Sequence, residues 1–186
     1  MIQSPGEPIG IGEFLRRTKF VVPPNQRAYA WKPAQIEELF DDLQSFLDSD
    51  EYFLGWIVLS AESEGDSPKI VDGQQRLATF CMIYAAIRDY LFDQEKFDVA
   101  AKIADRVLYT EPDWTSTKEP RLLMGADDQS FFFRYVIASP SSPDRCAEKI
   151  TRSSLHSHRR IAKAYDRVRE LVFELAEKRG VKGLEQ

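Results

Sequence analysis

KIVDGQQRLATF, residues 69 to 80, changes its hydrophobic period in mid-course, and that change decides the fold class. Lys69-Ile70-Val71 reads as a strand, Asp72-Gly73 ends it, and a helix begins at once. Leu77, Phe80, Cys81, Tyr84, Ile87 and Leu91 then recur at helical spacing. Met82, Ile83, Ala85 and Ala86 fill the remaining faces, so the helix is apolar nearly all round and belongs at the centre of the molecule.

On the N-terminal side, YFLGWIVLS (Tyr52 to Ser60) is an unbroken apolar run that reads as a buried strand. It pairs with Lys69-Ile70-Val71 by hairpin logic across the polar loop Ala61 to Pro68. Before it, Pro33 opens a helix whose buried face is Ile36, Leu39, Phe40, Leu43, Phe46 and Leu47. Ile9 to Arg17 reads as a short helix, and Phe20-Val21-Val22-Pro23 as an extended piece. On the C-terminal side strand signals thin out. Phe97 to Leu108 and Asp127 to Ile137 read as helices, Arg121 to Met124 as a short edge strand, and SPSSPD (Ser139 to Asp144) as a linker. A last helix runs from Ser154 to Lys178 with Ile161, Tyr165, Val168, Val172 and Leu175 on one side. The predicted class is α+β: a core over residues 1–92 and a helical extension over 93–186 that form one compact unit.

The composition, 43% hydrophobic and 30% charged over 186 residues, is that of a globular domain. A net charge of -5 excludes a protein that grips nucleic acid over its whole surface, but the charge is unevenly spread. Glu37 to Glu51 holds seven acids and no base, whereas Arg145 to Arg169 holds eight bases against Glu148 and Asp166. An anionic partner would therefore approach the C-terminal part, where Arg152, Arg159 and Lys163 are candidate DNA contacts on a face that is otherwise an ordinary solvated helix surface. Cys81 and Cys146 form no disulfide framework, no signal or transit segment opens the chain, and no apolar run spans a bilayer. The expected setting is the cytoplasm, with no membrane partner.

The chemistry concentrates at Asp72 to Arg76. A strand, Asp-Gly and a helix start aim free backbone N–H groups outward. Arg76 falls in the first turn, where the helix dipole disfavours a cation unless an anion is shared with it. The alternative needs no ligand: Asp72 with Gln75 forms a capping box, and Arg76 pairs with one of the many acids. A second constellation is VVPPNQRAYAW, residues 21 to 31, in which Gln26, Arg27, Tyr29 and Trp31 place an amide, a guanidinium and two rings close together. Arg27 would supply a second phosphate contact and Tyr29 or Trp31 a stacking surface, with core packing the stronger role for Trp31. There is no Walker-type phosphate loop and no HNH nuclease motif. His156 and His158 lie too close in sequence to share a helix face, so no zinc site is credible.

VVPPNQRAYAW, FLGWIVL and VDGQQRLATF, in this order, resemble the N-terminal domain of GmrSD-type and SspE-type restriction proteins, in which DGQQR is the hallmark. The resemblance is specific from Ile11 to Leu91 and looser beyond. It implies a ParB/sulfiredoxin-like core that binds and hydrolyses a nucleoside triphosphate and controls an HNH-type nuclease module in cis or in trans, with modified DNA as a possible signal. Carried over, Asp72, Gly73, Gln74, Gln75 and Arg76 form the nucleotide loop, faced by Gln26, Arg27 and Tyr29. Asp72 would hold Mg²⁺, and Asp72, Gln75 and Arg76 are the candidate catalytic residues. Two positions depart from the family pattern: Asn25 stands where an aromatic is common, and Ala78 replaces a frequent threonine. The ending GVKGLEQ, just past a helix, fits either a sensor portion separated from its nuclease or a naturally short protein. Two other readings stay open, a DNA-binding sensor without turnover and a protein-interaction domain that docks a nuclease.

Overall fold

The chain runs through α1 (Ile11–Arg17), β1 (Phe20–Val21), α2 (Pro33–Phe46), β2 (Val58–Ser60), β3 (Lys69–Asp72), α3 (Gln74–Asp93), α4 (Phe97–Ile103), β4 (Tyr109–Thr110), β5 (Glu119–Pro120), β6 (Leu122–Leu123), α5 (Ala126–Phe132) and α6 (His156–Arg179). The computed structural model describes residues 8–46, 52–60, 63, 66–111, 118–145, 150–151 and 154–180. The expected α+β class holds. A mixed sheet in the order β2-β3-β1-β6 is backed by helices, and β4 pairs with β5 in a separate antiparallel ribbon.

β1 is short but central. It runs parallel to β3 on one side and to β6 on the other, with Val21 opposite Lys69 and Leu123. The predicted hairpin is present, with Leu59 opposite Ile70 and Ser60 opposite Lys69. The predicted strand over Tyr52 to Ser60 is corrected: only its last three residues join the sheet. Gly55 bends the chain at φ 87°, and Phe53 and Trp56 stand 63% and 58% exposed, while Leu54 and Ile57 pack on the core. An isolated glycine within an apolar run marks a bend, and that signal outweighs the run itself.

α3 is the central helix that its pattern predicts, buried from Gln74 through Leu91 on most sides and packed against α4 and α6. One cluster of buried apolar side chains extends from Leu15 to Val172, through Ile36, Ile70, Leu77, Met82, Phe132 and Val168. Each Leu, Met or Phe fully buried in it contributes roughly 1.5–3 kcal/mol. α4 and α5 both widen into a π-helical turn, at Ala104–Leu108 and Phe133–Ile137.

The second of these turns has carbonyls left without ordinary partners, and a buried and a partly buried arginine take them. Arg88, 2% exposed in the middle of α3, donates to Val136 and Ala138 at 3.1 Å and also to Ile137. Arg145 donates to Val136 at 2.9 Å and Ala138 at 2.7 Å. Asp89 is the acid both arginines share: Oδ1 accepts from Arg88 at 2.6 Å, and Oδ2 from Arg145 at 2.7 Å and from the Tyr165 hydroxyl at 2.6 Å. This network fastens α3, the turn after α5, the expected linker at Ser139–Asp144 and α6 to one another.

Candidate functional site

The segment after β1 lies along the start of α3. Pro23 and Pro24 remove two donors, and the Gln26 N–H closes a turn onto the Pro23 carbonyl at 3.0 Å. From there the segment is fastened residue by residue. The Gln26 amide donates to the Val71 carbonyl at 2.9 Å, and the Gln74 amide donates to the Arg27 carbonyl at 2.6 Å. Gln75 accepts from the Ala30 N–H at 2.7 Å and donates to the Ala28 carbonyl at 3.3 Å. Tyr29 and Thr79 share a hydroxyl–hydroxyl bond of 2.9 Å. The two motifs singled out in the sequence therefore form one structural unit.

That unit is held from behind as well. Asp128 of α5 accepts from the Tyr29 N–H at 3.4 Å, and Arg160 of α6 donates to the Ala30 carbonyl at 2.7 Å. His158 stacks on Phe131 at 4.3 Å beside them, its Nε2 3.7 Å from Asp128 Oδ1.

The capping box between Asp72 and Gln75 does not form. Gly73 is the residue before the helix, at φ 90°, and no side chain caps the first turn. Both ends of the Gln75 amide are spent on Ala28 and Ala30, so Gln75 acts as a clamp where an open amide was expected. The Asp72 carboxylate is exposed and has no partner among the described residues. The first N–H groups of α3 thus have no side-chain cap, and the Asp72 carboxylate beside them is unengaged among the described residues. The left-handed conformation and the close approach explain the glycine: a Cβ at position 73 would lie 3.1 Å from the Ile57 side chain and 3.3 Å from its Cα.

Among the described residues Arg76 pairs with no acid. Its Nη1 donates to the Trp56 carbonyl at 3.0 Å, and the guanidinium lies against Gly55, where an added Cβ would approach Nη1 to 2.9 Å. Arg27 is exposed, its guanidinium without a partner among the described residues. Its backbone carbonyl, though, is bonded to Gln74 in the first turn of α3. Gln74 itself is 7% exposed, and its Oε1 is buried with no donor.

Tyr29 departs from its expected role. At 2% exposure its ring is in the core, and burial pushes its hydroxyl pKa far above the ordinary range, with the Thr79 bond opposing. It offers no face for stacking. Trp31 packs on the core, as expected. Ala78 is fully buried, and the hydroxyl next to it, on Thr79, serves Tyr29. Asn25 is exposed.

Much of the basic C-terminal charge is used within the fold. Arg145 and Arg160 bind internal carbonyls, and Arg167 bridges to Glu37 of α2 at 2.7 Å, joining the acidic segment to the basic one. Arg159 is half-buried and donates to the Ser154 carbonyl at 2.8 Å, whereas Lys163 is exposed. Arg152 and Cys146 lie outside the described residues. Among the described residues no group of three His, Cys, Asp or Glu side chains could hold a metal ion, and no helix is long and apolar enough to cross a membrane.

Sequence reasoning missed Gly55, Trp56, Thr79, Asp128 and Arg160 as parts of this site. Gly55 carried a readable signal, since it interrupts an apolar run. Arg160 and Asp128 did not, because their partners are backbone groups distant in sequence.

No curated protein matches the chain. The sequence matches the family described as GmrSD restriction endonuclease, N-terminal domain, over residues 11–182, which takes in both motifs, the Arg88–Asp89 network and α6. The chain therefore belongs to the family of GmrSD restriction endonuclease N-terminal domains, a component of restriction systems.

Proposed function

We propose that this domain binds a nucleoside triphosphate at the start of α3, hydrolyses it, and thereby controls a nuclease module, in cis or in trans, that acts on modified DNA. The observation that carries this reading is the pair Arg27 and Arg76. Neither guanidinium meets a carboxylate among the described residues, and both belong to segments fastened to an uncapped, amide-rich helix start. Two cations and a helix start without a side-chain cap suit a polyphosphate. The buried, donor-less Gln74 Oε1 lies at the same seam.

Asp72 is the one exposed carboxylate of the loop, and it fits a hard cation such as Mg²⁺. With no cluster of three such groups among the described residues, the remaining ligands would be phosphate oxygens and water. In this arrangement Arg76 and Arg27 neutralise charge on the phosphate oxygens, Asp72 orients Mg²⁺ or water, and Gln75 holds the loop in place.

Thermal unfolding with each of the four nucleoside triphosphates and Mg²⁺ tests this. Triphosphate at 100 times its Kd stabilises by about 2.7 kcal/mol. Arg76→Ala is expected to remove the shift, and Asp72→Asn to keep binding while phosphate release stops. Absence of stabilisation by all four nucleotides sinks the proposal.

A further inference from the structure

We propose that Phe53 and Trp56 form a stacking platform for a nucleobase, placed next to the start of α3. This deepens the nucleotide reading and rests on it, because the platform adds recognition of the base to recognition of the phosphates.

The two rings are among the most exposed large apolar side chains described, yet their segment is not loose. Leu54 and Ile57, interleaved with them, pack on the core. Gly55 turns the chain between them, Arg76 holds the Trp56 carbonyl at 3.0 Å, and Gly73 comes so close that an added Cβ would meet Ile57 at 3.1 Å and the Trp56 carbonyl at 3.4 Å. The sequence thus spends a positive-φ glycine, an arginine and a close backbone contact on holding two aromatic rings out in solvent. The rings meet edge to face, with centroids 5.3 Å apart and planes at 73°. That geometry leaves ring faces uncovered.

Position gives the platform its meaning. The residue that carries the larger ring also supplies the carbonyl bound by Arg76, so the backbone that bears the ring is tied to the first turn of α3. Tyr29, which sequence reasoning nominated for stacking, is buried and cannot perform it. A flat, aromatic, uncharged group attached to a polyanion is the ligand class that uses an exposed indole, a guanidinium and an uncapped helix start together. Nucleobases stack on aromatic side chains whatever their hydrogen-bonding pattern, so the platform favours larger ring systems, purines above pyrimidines, over any single base.

The test compares Kd values on the full chain, with Mg²⁺, for the four nucleoside triphosphates and for inorganic tripolyphosphate, read by calorimetry. The expected result is purine triphosphates binding about tenfold or more tighter than tripolyphosphate, as one stacked base warrants. Trp56→Ala should bring nucleotide affinity down to that of tripolyphosphate while leaving tripolyphosphate affinity unchanged, and Trp56→Phe should restore most of the difference. Equal affinity for nucleotide and tripolyphosphate in the parent, or a difference that survives Trp56→Ala, overturns the platform while leaving phosphate binding intact. A second arm uses a single-stranded oligonucleotide and its abasic counterpart. If nothing carrying a triphosphate binds, but the base-bearing strand binds in a Trp56-dependent way, the triphosphate reading falls and the platform as a nucleotide subsite falls with it. If neither strand nor nucleotide depends on Trp56, the platform is refuted.

Discussion

Gln75, in the first turn of α3, accepts the backbone N–H of Ala30 at 2.7 Å across 45 residues of chain. The same amide reaches the Ala28 carbonyl, and the side chain is 6% exposed. Gln75→Ala therefore strands two backbone groups in a dry seam, at a cost of about 1–3 kcal/mol each where no water replaces the amide. Urea unfolding should show a lower midpoint. Gln75→Glu should be no better than Gln75→Ala, since the carboxylate keeps the acceptor for Ala30, loses the donor for Ala28 and buries a charge. A neutral Gln75→Ala would show that the two motifs are not held together this way.

Gly55 and Gly73 make separable predictions. Both sit at positive φ, 87° and 90°, so alanine costs about 1–2 kcal/mol at either place from backbone strain alone. The neighbours differ. A methyl at position 73 meets the Ile57 backbone, which cannot yield, whereas a methyl at position 55 meets the end of the Arg76 side chain, which can swing away. Gly73→Ala should chiefly lower the melting temperature. Gly55→Ala should chiefly weaken triphosphate binding, by displacing Arg76. Equal loss of binding in both at matched stability would contradict this division.

The Arg88–Asp89 pair is buried, and its removal should be severe. Arg88→Met strips Asp89 Oδ1 of its donor, leaving the carboxylate to Arg145 and Tyr165 alone, and takes one of two donors from the Val136 and Ala138 carbonyls, at a cost of about 1.5–3 kcal/mol for the bonds to the carboxylate. Tyr165→Phe removes a 2.6 Å bond to the same carboxylate and should cost about 1.5–3 kcal/mol. The double variant should lose less than the sum, because both act on Asp89. Strict additivity in denaturant titrations would mean the network is not a unit.

Cys81 should be inert while the protein is folded. Burial pushes its thiol from the ordinary 9.0 up to about 12, so the native state holds almost no thiolate at neutral pH. Alkylation of the Cys81 peptide, followed by mass, should need denaturant. The same shift makes stability pH-dependent in a definite direction. The unfolded chain gives up this proton near pH 9 and the folded chain only near 12, so the contribution is complete below 9 and drains away as pH rises through that interval. Burial also raises the Tyr29 and Tyr165 hydroxyls, which reinforces the decline. Cys81→Ala should flatten part of the slope.

The central helix, the hairpin and the α+β class were legible because hydrophobic period and turn residues are local signals. So were Asp72-Gly73 as a strand-to-helix corner and the 21–31 segment as its companion. Other features were misread or overlooked for physical reasons. Tyr52 to Ile57 looks like a strand by apolar content, but Gly55 and the Arg76 bond to Trp56 divert it. Asp72 and Gln75 have capping-box spacing, yet Gln75 finds better partners in Ala28 and Ala30, which sequence alone does not bring near. The charge asymmetry suggested an external anion, whereas part of it is an internal match between Arg167 and Glu37. Arg88–Asp89, a charged pair inside an apolar stripe, was the clearest overlooked clue, since ions rarely enter such a stripe unless partners await them.

The peptide group of Ala30 is gripped on its N–H by Gln75 and on its carbonyl by Arg160, close to where α6 begins. α6 is a 24-residue rod, about 36 Å long. A tilt of about 5° levered from its Arg160 end would sweep its other end, near Arg179, through roughly 2.5 Å. Displacement of a single peptide plane at the mouth of the loop would thus be geared up into travel at a remote tip, to the extent that the packing of α6 on α3 yields.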